Sequence, residues 1–491
     1  MILWLVFQQR ALGEKGGYKQ MANLKKNIAY NFTYQVLILI LPFITAPYLS
    51  RVIGASGVGT YSFAYSVALY FTYFTLLGLN NYGNRTIASV QSNVEKRSRA
   101  FTEMYAMQIM TFILSAVVYV LYVLFFSVDK VAATIMGILV LSSALDINWF
   151  FFGMELFKLT VTRNALIKVG TAICIFVFVQ EKNDVYKYIL IMALSVLLSQ
   201  MCLWPFVKKY IHLSRPCFKD IKKHFKPNLI LFVPVIAISL YKIMDKVMLG
   251  YMSTMSEVGF YENAEKIINI ALTLINAVGT VMLPRMTALI SQNNVKESRK
   301  YIDKSMLLVL AYSNAVMFGI FSLGNMFATV YYGDEFKRTG EIMVLLAVTV
   351  VFLGCGNVIR TQFLIPMKQD KAYIYSAVIG AAVNLIINSL LIPRYAAIGA
   401  AIGTIAAELC VLIYQLFYCR RELNLLKFAG YELVFCFFGL LMVALIKALP
   451  DFGSSMINLM VSVIVGGGFY IVLVAFYLVK FQQFRIPCLK K

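Results

Sequence analysis

Apolar residues in this chain run in long blocks separated by short polar stretches, and the block length is the first thing the pattern fixes. A helix that crosses a bilayer needs about 20 mostly apolar residues. Fourteen segments meet that requirement, at about 28–50, 58–81, 105–127, 131–153, 162–180, 186–207, 228–250, 260–284, 304–330, 341–366, 372–392, 398–419, 428–449 and 456–480. Glu262, Glu265 and Lys266 stand in the first turns of the eighth, and Arg360 lies inside the tenth. The pattern predicts an all-α integral membrane protein with about fourteen transmembrane helices.

A repeat organises these segments. Ser56, Val58, Gly59, Tyr61 and Ala64 return as Ser256, Val258, Gly259, Tyr261 and Ala264. The same offset, without a gap, pairs Arg85 with Arg285, Asn93 with Asn293, Lys96 with Lys296 and Arg99 with Arg299. Many of these matches are polar, which an apolar chain does not produce by drift. The repeat aligns spans one and two with spans seven and eight in the same direction, a parallel duplication of the kind used by transporters whose halves rock about a central site. The chain divides accordingly into an inner N-terminal tail (1–27), a first lobe of six spans (28–207), a basic linker (208–227), a second lobe (228–419), and spans thirteen and fourteen with a tail (420–491). Pro42 and Pro234 sit at similar places in the first span of each lobe and predict a bend there.

Composition removes the soluble alternatives. Of 491 residues, 60% are hydrophobic and 14% charged, against about 25% charged in soluble domains. The formal net charge of +22 reads as topology: Lys and Arg favour cytoplasmic loops, and placing both termini inside puts most basic residues there. The linker carries the densest cluster, Lys208, Lys209, Arg215, Lys219, Lys222, Lys223 and Lys226. Nucleic-acid binding is not needed to explain it. Eight scattered cysteines without a CxxC pair give no metal or disulfide framework, and the two histidines, His212 and His224, share one loop. The stretch 1–20 reads as an upstream extension of the frame or an inner tail, with Met21 as the alternative start.

Ionisable residues within spans are costly and usually face a cavity or a partner. Lys242, Asp245 and Lys246 share one face of span seven, and Glu262 and Lys266 one face of span eight, by their i, i+3 and i+4 spacing. Structural pairing of Asp245 with Lys242 or Lys246, and of Glu262 with Lys266, is the plain reading. A positive excess remains at Arg51, Arg85, Lys168 and Arg360. Taken together, Arg51, Arg85, Lys168, Lys242, Lys246, Lys266 and Arg360 make a candidate anion-attracting cavity, suited to phosphate. Asp146, Asp245, Glu262 and Glu408 are candidates for ion coupling or charge pairing, because a carboxylate in a low-dielectric cavity gains affinity for a proton or sodium. Tyr61, Tyr65, Tyr70, Tyr73 and Phe74, with Asn80, Asn81 and Tyr82, are either a sugar-contacting lining or core packing.

Three stretches carry a resemblance: LPFITAPYLSRVIGASGVGTYSFAYSV (41–67), LDINWFFFGMELFK (145–158) and MDKVMLGYMSTMSEVGFYENAEKI (244–267). Together they resemble the bacterial polysaccharide transporters, the O-antigen and capsule oligosaccharide-lipid flippases of the multidrug, oligosaccharidyl-lipid and polysaccharide exporter superfamily. The resemblance covers the chain from about Met21. It implies two six-helix lobes forming a V around a central cavity. It also implies an undecaprenyl-diphosphate-linked oligosaccharide as substrate, moved from the inner to the outer leaflet of the cytoplasmic membrane by alternating access. Arg51, Asp146, Asp245, Lys246 and Arg360 take the family's charged-residue role by this likeness. The expected protein is a transporter without cofactor, with Na+, H+ or the membrane potential as driving force, and with polymerase and glycosyltransferases of the same pathway as partners. A drug exporter or lipid II flippase of the same fold is the alternative within the class. A membrane polymerase or glycosyltransferase is the alternative outside it, disfavoured by outer loops too short for a catalytic domain.

Overall fold

A computed structural model describes residues 17–212 and 216–480. The predicted tail segments 1–16 and 481–491, Arg215, and the side chains of residues 17–39, Pro234 and Lys242 lie outside the described ones. Two compact units divide at Ser239 and Leu240. Among the described residues, regular structure is helical throughout, and twelve stretches are long and apolar enough to cross a membrane. One of the twelve, Ile40–Ser89, covers the first two predicted spans, and the seventh predicted span lies in a further helix, Phe218–Met252.

The unit ending at Ser239 begins with α1 (Gly17–Leu76), a continuous run in which two helices meet at a kink between the first two predicted spans. Pro42 and Pro47 both lie inside it, yet its non-helical residue is Gly54, at φ 68°. Only glycine takes that conformation without a Cβ penalty, so the bend falls at the repeat's outer turn and not at a proline. In the second copy the equivalent position is Thr254, whose hydroxyl caps a new helix by accepting from the Glu257 N–H.

Helices α2 (Leu79–Ser89), α3 (Val94–Phe125), α4 (Lys130–Ala144), α5 (Asn148–Gly153), α6 (Phe157–Phe178), α7 (Val185–Met201) and α8 (Trp204–Val207) follow. The first part of α9 (Phe218–Met252) completes this unit. One apolar cluster packs Ile53, Tyr61, Tyr119, Met136 and Ile189. Another packs Phe101, Met104, Trp149, Phe150 and Ile221. Tyr61 stacks with Tyr65 and against Tyr188, which makes these rings packing residues.

Predicted span four is broken. The chain leaves helix after Ala144 and resumes at Asn148, with Asp146 Oδ1 accepting from the Asn148 N–H at 2.9 Å. The carbonyls freed by the break are recovered by neighbours. Gln108 Nε2 donates to Ser143 O at 2.7 Å and Asp146 O at 2.9 Å, and Trp204 Nε1 donates to Leu145 O at 3.0 Å. Broken helices survive at membrane depth only when the backbone is satisfied in this way.

The unit beginning at Leu240 holds the rest of α9, α10 (Met255–Ser291), α11 (Val295–Tyr332), α12 (Lys337–Ile359), a π turn (Arg360–Leu364), α13 (Asp370–Tyr395), α14 (Ala397–Cys419), α15 (Leu425–Lys447) and α16 (Ser455–Lys480). The repeat reaches further here than its sequence signal. In the first unit Arg99 pairs with Asp220 and Lys223 with Glu103, at 2.7 and 2.8 Å. In the second, Arg299 pairs with Glu422, and Lys427 with Asp303 at 2.7 Å. Each unit thus ties its long post-repeat helix, α3 or α11, to the segment that follows its sixth predicted span.

Candidate functional site: a buried carboxylate among oxygen donors

The charged face of α9 splits on folding. Asp245 is 3% exposed and reaches three other helices. Tyr261 OH of α10 and Thr404 Oγ1 of α14 each lie 2.7 Å from Oδ2, while Asn384 and Asn388 of α13 donate through Nδ2 to Oδ1 at 2.9 and 2.6 Å. The i, i+4 spacing of Asn384 and Asn388 puts both amides on one face.

The proton count around this carboxylate is informative. Thr404 Oγ1 also lies 2.8 Å from Tyr261 OH and 3.1 Å from Ala400 O. Two hydroxyl protons therefore serve four close oxygen pairs. Asn388 Oδ1 is buried without a hydrogen-bond partner among the described residues, and Gly403 lets it approach so closely that a Cβ there would stand 2.0 Å from it. The site holds more oxygen lone pairs than hydroxyl and amide protons, around one carboxyl group. Oxygen-rich sets of carboxylate, amide carbonyl and hydroxyl groups suit hard cations.

Lys246 turns away from Asp245, so the predicted pair between them does not form. Its Nζ lies 3.0 Å from both Glu262 and Glu265, and Lys266 pairs with Glu262 at 3.4 Å, as the i, i+4 spacing predicts. Among the described side chains of this cluster, three carboxylates face two ammonium groups. Glu265, which the helical spacing did not pair, joins Glu262 in answering Lys246.

The remaining candidates are dispersed. Arg51, Arg85 and Lys168 are exposed. Arg360 is half-buried with its guanidinium 5.7 Å from the Tyr373 ring centroid. Asp146 serves Asn148, through Oδ1 at 2.7 Å from Nδ2. Arg163, which a search for excess charge in spans passes over, donates Nη2 to Asn148 Oδ1 at 3.1 Å and is 8% exposed. Glu408 is buried on α14, one turn beyond Thr404.

Other buried groups escaped the sequence reading. Glu103 accepts from Arg99, Lys223 and His224, whose other ring nitrogen meets Tyr82 OH at 2.8 Å. A hydropathy window centred on 105–127 leaves Glu103 outside the predicted span. The Asn384–Asn388 pair is legible as amides at helical spacing in an apolar run, but neutral amides carry none of the charge that marks Asp245.

The second unit also contains an apolar groove of about 840 Å³ between α10, α11, α15 and α16. Ala271, Tyr312, Val316, Phe327, Met442 and Tyr470 line it. Its volume is in the range of sites that take drug-sized apolar ligands. Helices α15 and α16, which stand outside the two predicted six-span lobes, supply one wall.

A duplicated bundle of membrane helices with a charged site buried between spans is the architecture of a secondary transporter. The chain belongs to the polysaccharide biosynthesis protein family, whose description matches residues 24–290, more than half its length. The lipid II flippase description also matches, over residues 165–470. A protein of Shigella dysenteriae named "Putative O-antigen transporter" is 23% identical over 401 residues, covering 80% of this chain and 99% of the relative. The "Capsular polysaccharide biosynthesis protein CapF" of Staphylococcus aureus is 22% identical over 274 residues, covering 54% and 68%.

Among solved structures, a lipid II flippase in an inward closed conformation aligns with a TM-score of 0.74 at 15% identity, over 92% of this chain and 98% of that one. An inward-facing multidrug resistance transporter of the MATE family aligns at 0.54 and 13%, over 80% and 99%. The chain is accordingly a multi-pass membrane transporter and not an enzyme, and the expected fold class holds.

Proposed function

We propose that this protein is a flippase for an undecaprenyl-diphosphate-linked oligosaccharide repeat unit. It carries the unit from the inner to the outer leaflet of the cytoplasmic membrane by alternating access, for O-antigen, capsule or exopolysaccharide assembly. The observation that carries the reading is the groove walled by α15 and α16. A water-soluble cargo has no use for an apolar groove of this size, whereas a polyprenyl tail gains free energy from every methylene it buries. The relatives' names and the family support an oligosaccharide on that lipid. Both termini face the cytoplasm in this reading, and polymerase and glycosyltransferases of the same pathway act on either side of the step.

The driving force enters at Asp245. A monovalent cation, Na+ or a proton, binds among the Asp245, Asn384, Asn388, Thr404 and Tyr261 oxygens and neutralises the one carboxylate of the cluster that Lys246 and Lys266 do not contact. Arg360 and the exposed Arg51, Arg85 and Lys168 are the candidate contacts to diphosphate in this reading.

Deleting the gene tests the function. Lipid-linked repeat units should then accumulate on the inner leaflet, inaccessible to an impermeant lectin or glycosidase added to spheroplasts. Normal outer exposure in the deletion strain would sink the proposal. The lipid II reading is the second one, favoured by the match over 165–470. The same assay with a lipid II-directed probe separates the two, since stranded lipid II with exposed repeat units supports the second.

A further inference from the structure

The tenth predicted span does not end as an α-helix. From Arg360 to Leu364 it opens into a π turn, with the Ile365 N–H donating to Arg360 O at 3.0 Å, five residues back. Single π turns within helices are rare and occur frequently at functional sites. This one begins at Arg360, the candidate diphosphate contact of the tenth span.

Gln362, in the middle of the turn, is 0% exposed, and neither its Oε1 nor its Nε2 has a hydrogen-bond partner among the described residues. A buried amide with both ends unmade carries the desolvation cost of each group with nothing returned. Such a residue needs a reason other than packing, because an apolar side chain of equal length would fill the space without that cost.

Its surroundings are not apolar by default. On the adjacent positions Thr361 Oγ1 donates to Asn357 O at 2.7 Å, and Asn357 Nδ2 donates to Asn276 Oδ1 at 2.8 Å. One turn before Arg360, Gln415 approaches Gly356, and its Oε1 is also unpartnered. Gln415 Nε2, by contrast, donates to Ser376 Oγ at 3.1 Å, so of these two amides Gln362 is the one with both ends unmade among the described residues.

We propose that the π turn Arg360–Leu364 is a two-state element of the transport cycle, and that Gln362 is a positioning residue acting through Arg360. In the geometry seen here Gln362 is unsatisfied. Closing the turn to α geometry turns the chain beyond it by about one residue step, roughly 100°. That motion re-aims Gln362 relative to Arg360 and gives the amide its partners. The free energy withheld in one geometry and recovered in the other biases the turn toward change, so that Arg360 is presented differently in the two states. The proposal rests on the flippase reading for its transport readout but not for its stability readout.

The test is Gln362→Met, which keeps side-chain length and removes both polar atoms. In purified protein its thermal midpoint should rise above wild type, because the geometry seen here loses two unsatisfied groups. Export of repeat units should fall about tenfold or more, a factor equivalent to about 1.4 kcal/mol. Gln362→Asn, which keeps the amide, should restore at least half of the export. A residue that merely packs would not move the two readouts in opposite directions.

A lowered midpoint, or failure of Gln362→Met to accumulate in the membrane, would show that the amide is already partnered and would overturn the proposal. A raised midpoint with wild-type export would overturn the role in transport. If wild-type protein itself exposes no repeat units, the flippase reading fails, while the direction of the midpoint shift still decides the state of Gln362.

Discussion

Gly403→Ala is the sharpest test of the Asp245 site, because it changes no charge and no hydrogen-bonding group. A Cβ at 403 would stand 2.0 Å from Asn388 Oδ1, whereas real Cβ contacts stay above 3.0 Å. The Asn388 side chain must withdraw by about 1 Å, which carries its Nδ2 out of range of Asp245 Oδ1, now at 2.6 Å. Overpacking costs about 1–3 kcal/mol and loss of a hydrogen bond to a charged group about 1.5–3 kcal/mol. The sum is about 2.5–6 kcal/mol.

The assay is thermal unfolding of purified protein in sodium and in choline chloride, beside export in a deletion strain. A cation at 100 times its Kd stabilises wild type by about 2.7 kcal/mol. The variant should lose part of the basal stability and the sodium increment, and Asp245→Asn should lose the increment as well. A Gly403→Ala protein with wild-type midpoint and undiminished sodium response would refute the geometry on which the cation site rests.

Other outcomes follow from the same structure. Lys246→Ala leaves Glu262 and Glu265 facing each other without their shared ammonium; in this part-buried network the loss should fall below the roughly 3–5 kcal/mol of a fully buried pair, and adding Glu265→Gln should recover part of it, read as membrane accumulation. Arg360→Ala should impair export while protein level stays at wild type; unimpaired export would reduce Arg360 to its contact with Tyr373. At the start of α9, Arg99 donates to Asp220 and holds its carboxyl below the usual carboxylate range. A depressed carboxyl contributes stability above its unfolded pKa and loses it as pH falls through the folded one. Wild type and Asp220→Asn should therefore differ at neutral pH and converge in acid, as followed by thermal unfolding; a difference that persists in acid would remove the pair from the account.

The number and order of helices were legible because block length against bilayer thickness is a one-dimensional property. The repeat was legible for the same kind of reason: matched polar residues at a fixed offset need no folding to be seen. Asp245, Lys246, Glu262 and Lys266 stood out because charge in a span is costly wherever it points. The breaks were not legible. Hydropathy ran straight through Asp146, where the chain leaves helix because the Asp146 carboxylate and Gln108 amide replace the lost backbone bonds. The kink of α1 at Gly54, by contrast, falls in the gap between the first two predicted spans, while the backbone at Pro42 keeps helical dihedrals.

The sequence by itself determined that this is a duplicated all-helical membrane transporter, and which spans carry charge. Only the tertiary structure decided which charges answer one another. Asp245 and Lys246 are neighbours in sequence, but successive helical side chains diverge by about 100°, and partner choice depends on what α10 and α13 present. Glu265 captures the lysine, and two asparagines and two hydroxyls from three other helices gather round the aspartate. Those contacts join residues up to 159 positions apart, which no local pattern in the chain encodes.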